Sequence, residues 1–284
     1  MDCVRIDNAL RSLVMSGSVS HERAVAVCVW DAYQVVGSRF YGVGPRASIH
    51  RRPTWFALLS GEQEGELNVC GLLPGATASS AAELVTVIDA AGLPAIVFVS
   101  EFAEPTAADH LAAEGYETAE IEEPLMRSDR PPPRVASDFA VRPAADAADI
   151  AAAIALTSEA HAVRRDLLER TFATAAEDPS VRVWLAFDGA EPVSVAWLAR
   201  HGDALGVKEM MTPPRHQRRG AGRAVLVAAL AAEWETETTK FSYLIATPAG
   251  RRLYESIGYT PVDRVRTRYR GLSPHVLAAI GQSI

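Results

Sequence analysis

The residues of this 284-residue chain best suited to chemistry concentrate in one stretch, Thr212-Pro-Pro-Arg-His-Gln-Arg-Arg-Gly-Ala-Gly-Arg223. It stands between an apolar, strand-like run and an alanine-rich, helix-like run, so Gly220, Ala221 and Gly222 fall at a helix start. Unpaired N–H groups and the positive end of the helix dipole gather there, and glycine lets backbone and ligand meet with no Cβ between them. Arg218, Arg219 and Arg223 add planar, multi-donor cations that match phosphate oxygens. The pattern implies a pyrophosphate cradle. A dinucleotide fingerprint would need a third glycine at Val225 and an acid at the end of the next strand, where Thr247-Pro248 stands. A Walker A loop would need Gly-Lys-[Ser/Thr]. The sequence meets neither requirement.

Holding such a loop takes a rigid frame. In the second half of the chain the apolar spacing predicts strands over Phe139–Arg142, Val181–Phe187, Val193–Arg200, Leu205–Thr212, Phe241–Ala246 and about Val262–Tyr269. Helices are expected over Ala144–Leu156, Arg164–Thr174, Gly220–Trp234 and Ala249–Ile257. The fold class is therefore α/β (α+β): two mixed, mostly antiparallel sheets flanked by helices. Strand alternation places Glu209 on the face opposite Lys208 and Met210, as a candidate base or as an exposed or arginine-paired acid. His216 reads as a phosphate neighbour or an exposed residue. His161, between the first two helices of this half, is a second candidate base.

The two halves differ in charge. Residues 1–130 hold 9 basic and 18 acidic side chains, and residues 131–284 hold 19 and 17. At the seam, Arg130-Pro-Pro-Pro-Arg134 reads as a stiff polyproline connection. The expected division is 1–130, a linker at 131–135, a domain at 136–271 and a tail at 272–284. A weak internal repeat supports it: Pro105-Thr-Ala-Ala-Asp-His-Leu-Ala-Ala-Glu-Gly-Tyr116 against Pro248-Ala-Gly-Arg-Arg-Leu-Tyr-Glu-Ser-Ile-Gly-Tyr259. In each, a strand precedes, Pro opens a helix and Gly-Tyr closes it.

Gln217-x-x-Gly220-x-Gly222, after a strand and before a helix, resembles the acetyl-CoA pyrophosphate loop of the GNAT family of N-acetyltransferases. The run from Pro248 to Tyr259 is similar to that family's L-Y-x-x-x-G-[FY] helix, and Val141-Arg-Pro-Ala144 matches a frequent opening of its fold. The resemblance implies acetyl-CoA as co-substrate, no metal, and direct attack of a primary amine on the thioester. It would give Met210, Met211 and Thr212 the pantetheine arm, their N–H groups polarising the thioester oxygen. Gln217, Arg218, Arg219, Gly220, Ala221, Gly222 and Arg223 would hold the pyrophosphate. Tyr254 would protonate the departing thiolate, its alternative being a core aromatic beside Leu253, and Glu209 would be the base. The family's asparagine after the fifth strand is replaced by Thr247-Pro248, so that contact is missing or falls to Thr247. The alternative to an enzyme is a non-catalytic acyl-CoA-binding regulatory module.

Residues 61–126 resemble a decayed copy of the same unit: strand Leu67–Leu72, helix Ser79–Ala91, strand Ala95–Ser100, helix Thr106–Ala113, then Gly115-Tyr116. Its loop, Leu73–Ser79, has one glycine and no arginine, and Leu111 stands in the tyrosine's place. Eight acids and no Lys or Arg lie from Glu101 to Glu123, a poor setting for phosphates that would attract a cationic acceptor or simply be solvated. Trp30, Tyr33, Phe40, Tyr41, Trp55 and Phe56 read mostly as core, with some available to line a pocket.

A net charge of −7 argues against a nucleic-acid partner. Cys3, Cys28 and Cys70 exclude a disulfide framework and a cysteine-based zinc site. The most apolar runs, Ala95–Val99 and Ala224–Ala232, fall short of the roughly 18–20 residues that cross a bilayer. The first residues lack a basic start followed by an apolar block. The expectation is a cytoplasmic protein acting on a small-molecule or peptide amine, with a homodimer as its candidate assembly.

Overall fold

The computed structural model describes residues 20–134, 136–235 and 238–272. Cys3 and the tail expected beyond Leu272 lie outside the described residues. The first elements are α1 (His21–Tyr41), β1 (Ser48–Arg51), β2 (Trp55–Leu59), β3 (Asn68–Leu72), α2 (Ala78–Ala91), β4 (Ala95–Ser100), α3 (Pro105–Ala113) and β5 (Glu117–Ser128). The hydroxyl of Ser20 accepts from the Arg23 N–H and starts α1. Along α1, Ala26, Val29, Trp30, Tyr33, Val36 and Phe40 are buried at the three- and four-residue spacing of one helix face. Trp30, Tyr33 and Phe56 pack with ring centroids 5.3 to 6.1 Å apart, so the early aromatics are core. β2 and β3 are buried along their whole length, as strands covered on both faces are.

The chain continues through β6 (Ala140–Pro143), α4 (Ala147–His161), α5 (Arg165–Leu168), a π-helical turn at Glu169–Ala173 and α6 (Thr174–Glu177). The single helix expected over Arg164–Thr174 is thus three short pieces. Then come β7 (Val181–Asp188), β8 (Glu191–His201), β9 (Ala204–Met211), α7 (Ala221–Trp234), β10 (Phe241–Ile245) and α8 (Pro248–Ser256).

The described residues fall into two compact units. Unit 1 takes those up to Met126, Ile245–Arg251 and those from Pro261 on; unit 2 takes Arg127–Leu244 and Arg252–Thr260. Each is built on the same plan. In unit 1, β1, β2 and β3 are antiparallel and β4 joins parallel to β3, Val69 opposite Ile96. In unit 2, β6 to β9 are antiparallel and β10 joins parallel to β9, Ala204 opposite Phe241. The repeated Pro-to-Tyr segments close alike: the Tyr116 N–H donates to the Leu111 carbonyl at 3.0 Å, and the Tyr259 N–H to the Tyr254 carbonyl at 3.1 Å.

The last strand, β11 (Thr260–Arg270), departs from the expected division. From Pro261 on it belongs to unit 1, antiparallel to β4 with Val265 opposite Ser100 and Arg270 opposite Ala95. Its side chains explain the placement. The buried Asp263 carboxylate accepts from Trp30 Nε1 at 2.7 Å and from the Glu101 N–H at 3.0 Å. Arg264 pairs with Glu101 at 3.0 Å, Thr267 Oγ1 donates to Glu123 at 2.7 Å, and Arg270 bonds to Asp89. Part of the acidic run from Glu101 to Glu123 is therefore answered by the chain's own last strand. Pro131–Arg134 form no regular element. Among the described residues no helix is long and apolar enough to cross a membrane.

Candidate active site

In unit 2, β9 keeps its partner β8 as far as Val195 opposite Met211, but its pairing with β10 stops at Gly206 opposite Tyr243. Beyond Gly206, β9 therefore runs on without β10 beside it in the ladder. The register with β8 also slips between Trp197 and Leu198, which oppose Glu209 and Val207 and leave Lys208 as the extra residue of a bulge. Strict alternation, the ground for Glu209's expected face, does not hold through that bulge.

At the strand's end the loop folds back on itself. Gln217 Nε2 donates to the Thr212 carbonyl at 3.0 Å, and Ser194 Oγ donates to the Met211 carbonyl at 2.8 Å. Thr212 Oγ1 lies 2.8 Å from Ser194 Oγ; with the serine proton committed to Met211, the threonine donates there. Arg218 has φ +63° and Gly220 φ +91°. A non-glycine residue held left-handed is a cost that ligand-clamping loops often carry. A Cβ at Gly220 would meet nothing within 4 Å, so its requirement is the backbone angle; a Cβ at Gly222 would come 2.9 Å from Thr212 Oγ1 and 3.3 Å from Met210 Sδ. Gly222 thus seats the helix start directly on the strand end. No side chain caps α7, and its first bond runs from the Ala224 N–H to the Gly220 carbonyl at 2.9 Å. The N–H groups of the first turn point to a ligand or to solvent.

The basic residues divide. Arg219 pairs with Asp188 at 2.6 Å, both side chains about half exposed (49% and 48%), a contact worth roughly 0–1 kcal/mol that an incoming phosphate can displace. Arg223 Nη1 donates to Ser256 Oγ at 2.8 Å. Among the described residues no carboxylate pairs with Arg218 or Arg223. His216 is buried and lies 3.3 Å from Glu191 and 2.9 Å from Arg215 Nε. The expectation of an exposed histidine is corrected, because the short turn at Pro214–His216 tucks the ring inward. The Thr247 hydroxyl accepts from the Gly250 N–H at 3.2 Å, capping α8, and keeps its own proton to donate.

Two residues distant in sequence, His161 and Tyr254, interact with the Glu209 carboxylate. His161 Nε2 lies 3.0 Å from Glu209 Oε2. Tyr254 on α8 is buried; burial, and after it the Glu209 charge, push its hydroxyl up, so it stays protonated at neutral pH. Burial pulls the Lys208 ammonium down to about 8, against the opposing influence of Glu209. The contact of His161 with Glu209 spans 48 residues, and its one local signal is the one-turn spacing of His161 from Thr157, which bonds to Trp197 on β8. Among the described residues no group of three or more His, Cys, Asp and Glu side chains gathers to hold a metal.

A parallel pair that ends beside an uncapped, glycine-lined helix start leaves backbone donors open to an anionic group. Residues 179–261 match the family model described as an acetyltransferase (GNAT) domain. Over those residues the chain thus carries a GNAT-type acetyltransferase domain. Among solved structures it is similar to a GCN5-related N-acetyltransferase from Kribbella flavida, with TM-score 0.65 and 18% identity over 86% of this chain and 95% of that one. A second likeness is to a GCN5-related N-acetyltransferase from Sphaerobacter thermophilus, with TM-score 0.56 and 14% identity over 76% of each chain. A third is to a tandem GNAT protein from the clavulanic acid biosynthesis pathway, with TM-score 0.55 and 14% identity over 84% of this chain and 86% of that one. At such identities the likeness is one of fold. No curated protein matches the sequence.

Proposed function

We propose that the chain is an acetyl-CoA-dependent N-acetyltransferase that moves an acetyl group to a primary amine by direct attack. The observation that carries this reading is the end of the β9–β10 ladder at Gly206 and Tyr243, followed by the uncapped start of α7. Backbone groups of Met210, Met211 and Thr212 take the pantetheine arm as a neighbouring strand would. The N–H groups of Gly220, Ala221 and Gly222, with Arg218, Arg219, Arg223 and Gln217 around them, take the pyrophosphate. Acetyl-CoA supplies an activated acyl group. Glu209 accepts the proton of the incoming amine, and Tyr254, kept protonated by burial, gives its own to the leaving sulfur. Unit 1 is a decayed copy of this arrangement, a reading supported by the shared strand order, the identical Pro-to-Tyr closure and the likeness to a tandem protein.

The test is release of free thiol from acetyl-CoA across a panel of aminoglycoside, polyamine, amino-acid and peptide amines, with the acetylated product identified by mass. Thiol release that depends on an amine is expected. Tight CoA binding with no release for any amine would instead mean an acyl-CoA-binding regulatory module.

A further inference from the structure

His161 is the last residue of α4, and Ala162 after it turns left-handed at φ +55° and stops the helix there. One turn earlier, Thr157 Oγ1 accepts from Trp197 Nε1 at 3.2 Å. Trp197 and Glu209 are direct cross-strand partners on β8 and β9. The helix is therefore held to this ladder by two rungs, Thr157 on Trp197 and His161 on Glu209, and the second fixes the imidazole against the carboxylate at 3.0 Å. The two groups differ in access to water: the Glu209 side chain is 11% exposed and that of His161 31%. Lys208 on the same strand and Tyr254 on α8 also feel the Glu209 charge.

We propose that His161 is the proton outlet of Glu209, a positioning and relay residue through which the base is reset in each turnover. The inference rests on the acetyl-transfer reading above. An amine arrives from neutral water as an ammonium ion. Glu209 takes one proton and frees the lone pair; nitrogen bonds to the thioester carbon and the C–S bond breaks. Nitrogen loses its second proton as the amide forms, the thiolate gains one from Tyr254, and Tyr254 is restored from that second proton. One proton remains on Glu209 per ammonium consumed. It has to reach water through a carboxylate that is itself mostly covered, and the partly exposed imidazole on that carboxylate accepts it on one nitrogen and releases it from the other.

The experiment compares wild type, His161→Gln and His161→Ala, using the amine of the panel that gives the fastest thiol release. Glutamine keeps an N–H for Glu209 but carries no proton. His161→Gln is expected to keep CoA affinity and lose about 100-fold in kcat, and His161→Ala to lose as much and regain at least about tenfold on addition of imidazole. Wild-type turnover in His161→Gln would reduce the contact to a structural one. Low turnover in both variants with no response to imidazole would equally overturn the relay. If wild type itself transfers to no amine, the acetyl-transfer reading fails first and the relay with it, a result read from the unmutated protein.

Discussion

The loops Leu73–Ser79 and Gln217–Arg223 occupy the same place in their units, each between a strand and the helix that leads to a parallel neighbour, yet they treat the helix start in opposite ways. In unit 1, Thr77 and Ser80 form a reciprocal capping box, the Gly75 N–H donates to the Phe102 carbonyl at 2.9 Å, and the Ala76 N–H to the Leu73 carbonyl at 2.9 Å. Leu73, Pro74 and Ala76 are buried. The Arg23 guanidinium of α1 stands where a Cβ at Gly75 would be, its Nη2 2.5 Å from that point, so the cation missing from the loop's own sequence arrives from elsewhere in the chain. In unit 2 no side chain caps the helix, and two residues of the loop, Arg218 and Gly220, are held left-handed. A helix start that satisfies its own N–H groups has nothing left to offer an anion; one that leaves them open has accepted backbone strain to do so. The same contrast holds one helix later, where Leu111 is wholly buried core and Tyr254 puts a hydroxyl beside Glu209.

Four measurements test that contrast. The largest effect is expected at the tyrosine: Tyr254→Phe should lower kcat by about 100- to 10,000-fold while CoA affinity in calorimetry stays within about twofold, because the lost hydroxyl acts on the leaving sulfur. Full turnover would make Tyr254 as structural as Leu111. Next, calorimetric titration should saturate near one CoA per chain, and Gly222→Val should weaken binding about 100-fold by forcing the helix start away from Thr212 and Met210. A second equivalent that survives the mutation would show that unit 1 also binds. Gly220→Ala should cost about 1–2 kcal/mol in denaturant unfolding from the φ of +91° alone, since the space around it is open, together with a measurable loss of CoA affinity. The smallest effect belongs to the closed loop. Thr77→Ala should destabilise by about 1 kcal/mol through the lost cap and leave CoA affinity as it was; a change in affinity there would mean that the two loops are coupled.

The features readable from the order of amino acids are local. Glycines at 220 and 222 after an apolar strand, Pro248 opening a helix and Gly258-Tyr259 closing it act through backbone preferences that span a few residues. The loop, its helix and the family resemblance are therefore legible in the order of the amino acids. Burial of the early aromatics follows from helical spacing in the same way. Tertiary structure alone decided the rest. β11 lies beside β4, across more than 160 residues of chain, because Asp263 and the arginines of that strand find their partners there, and strand order within a sheet is not written in any one strand. Nothing near Glu209 in sequence announces His161, nothing near Arg219 announces Asp188, and the bulge that leaves Lys208 unopposed exists only as a relation between two strands. Loop-closure entropy grows only slowly with separation, so a distant partner is nearly as accessible as a close one, and the choice falls to packing and charge, which only the folded chain brings together.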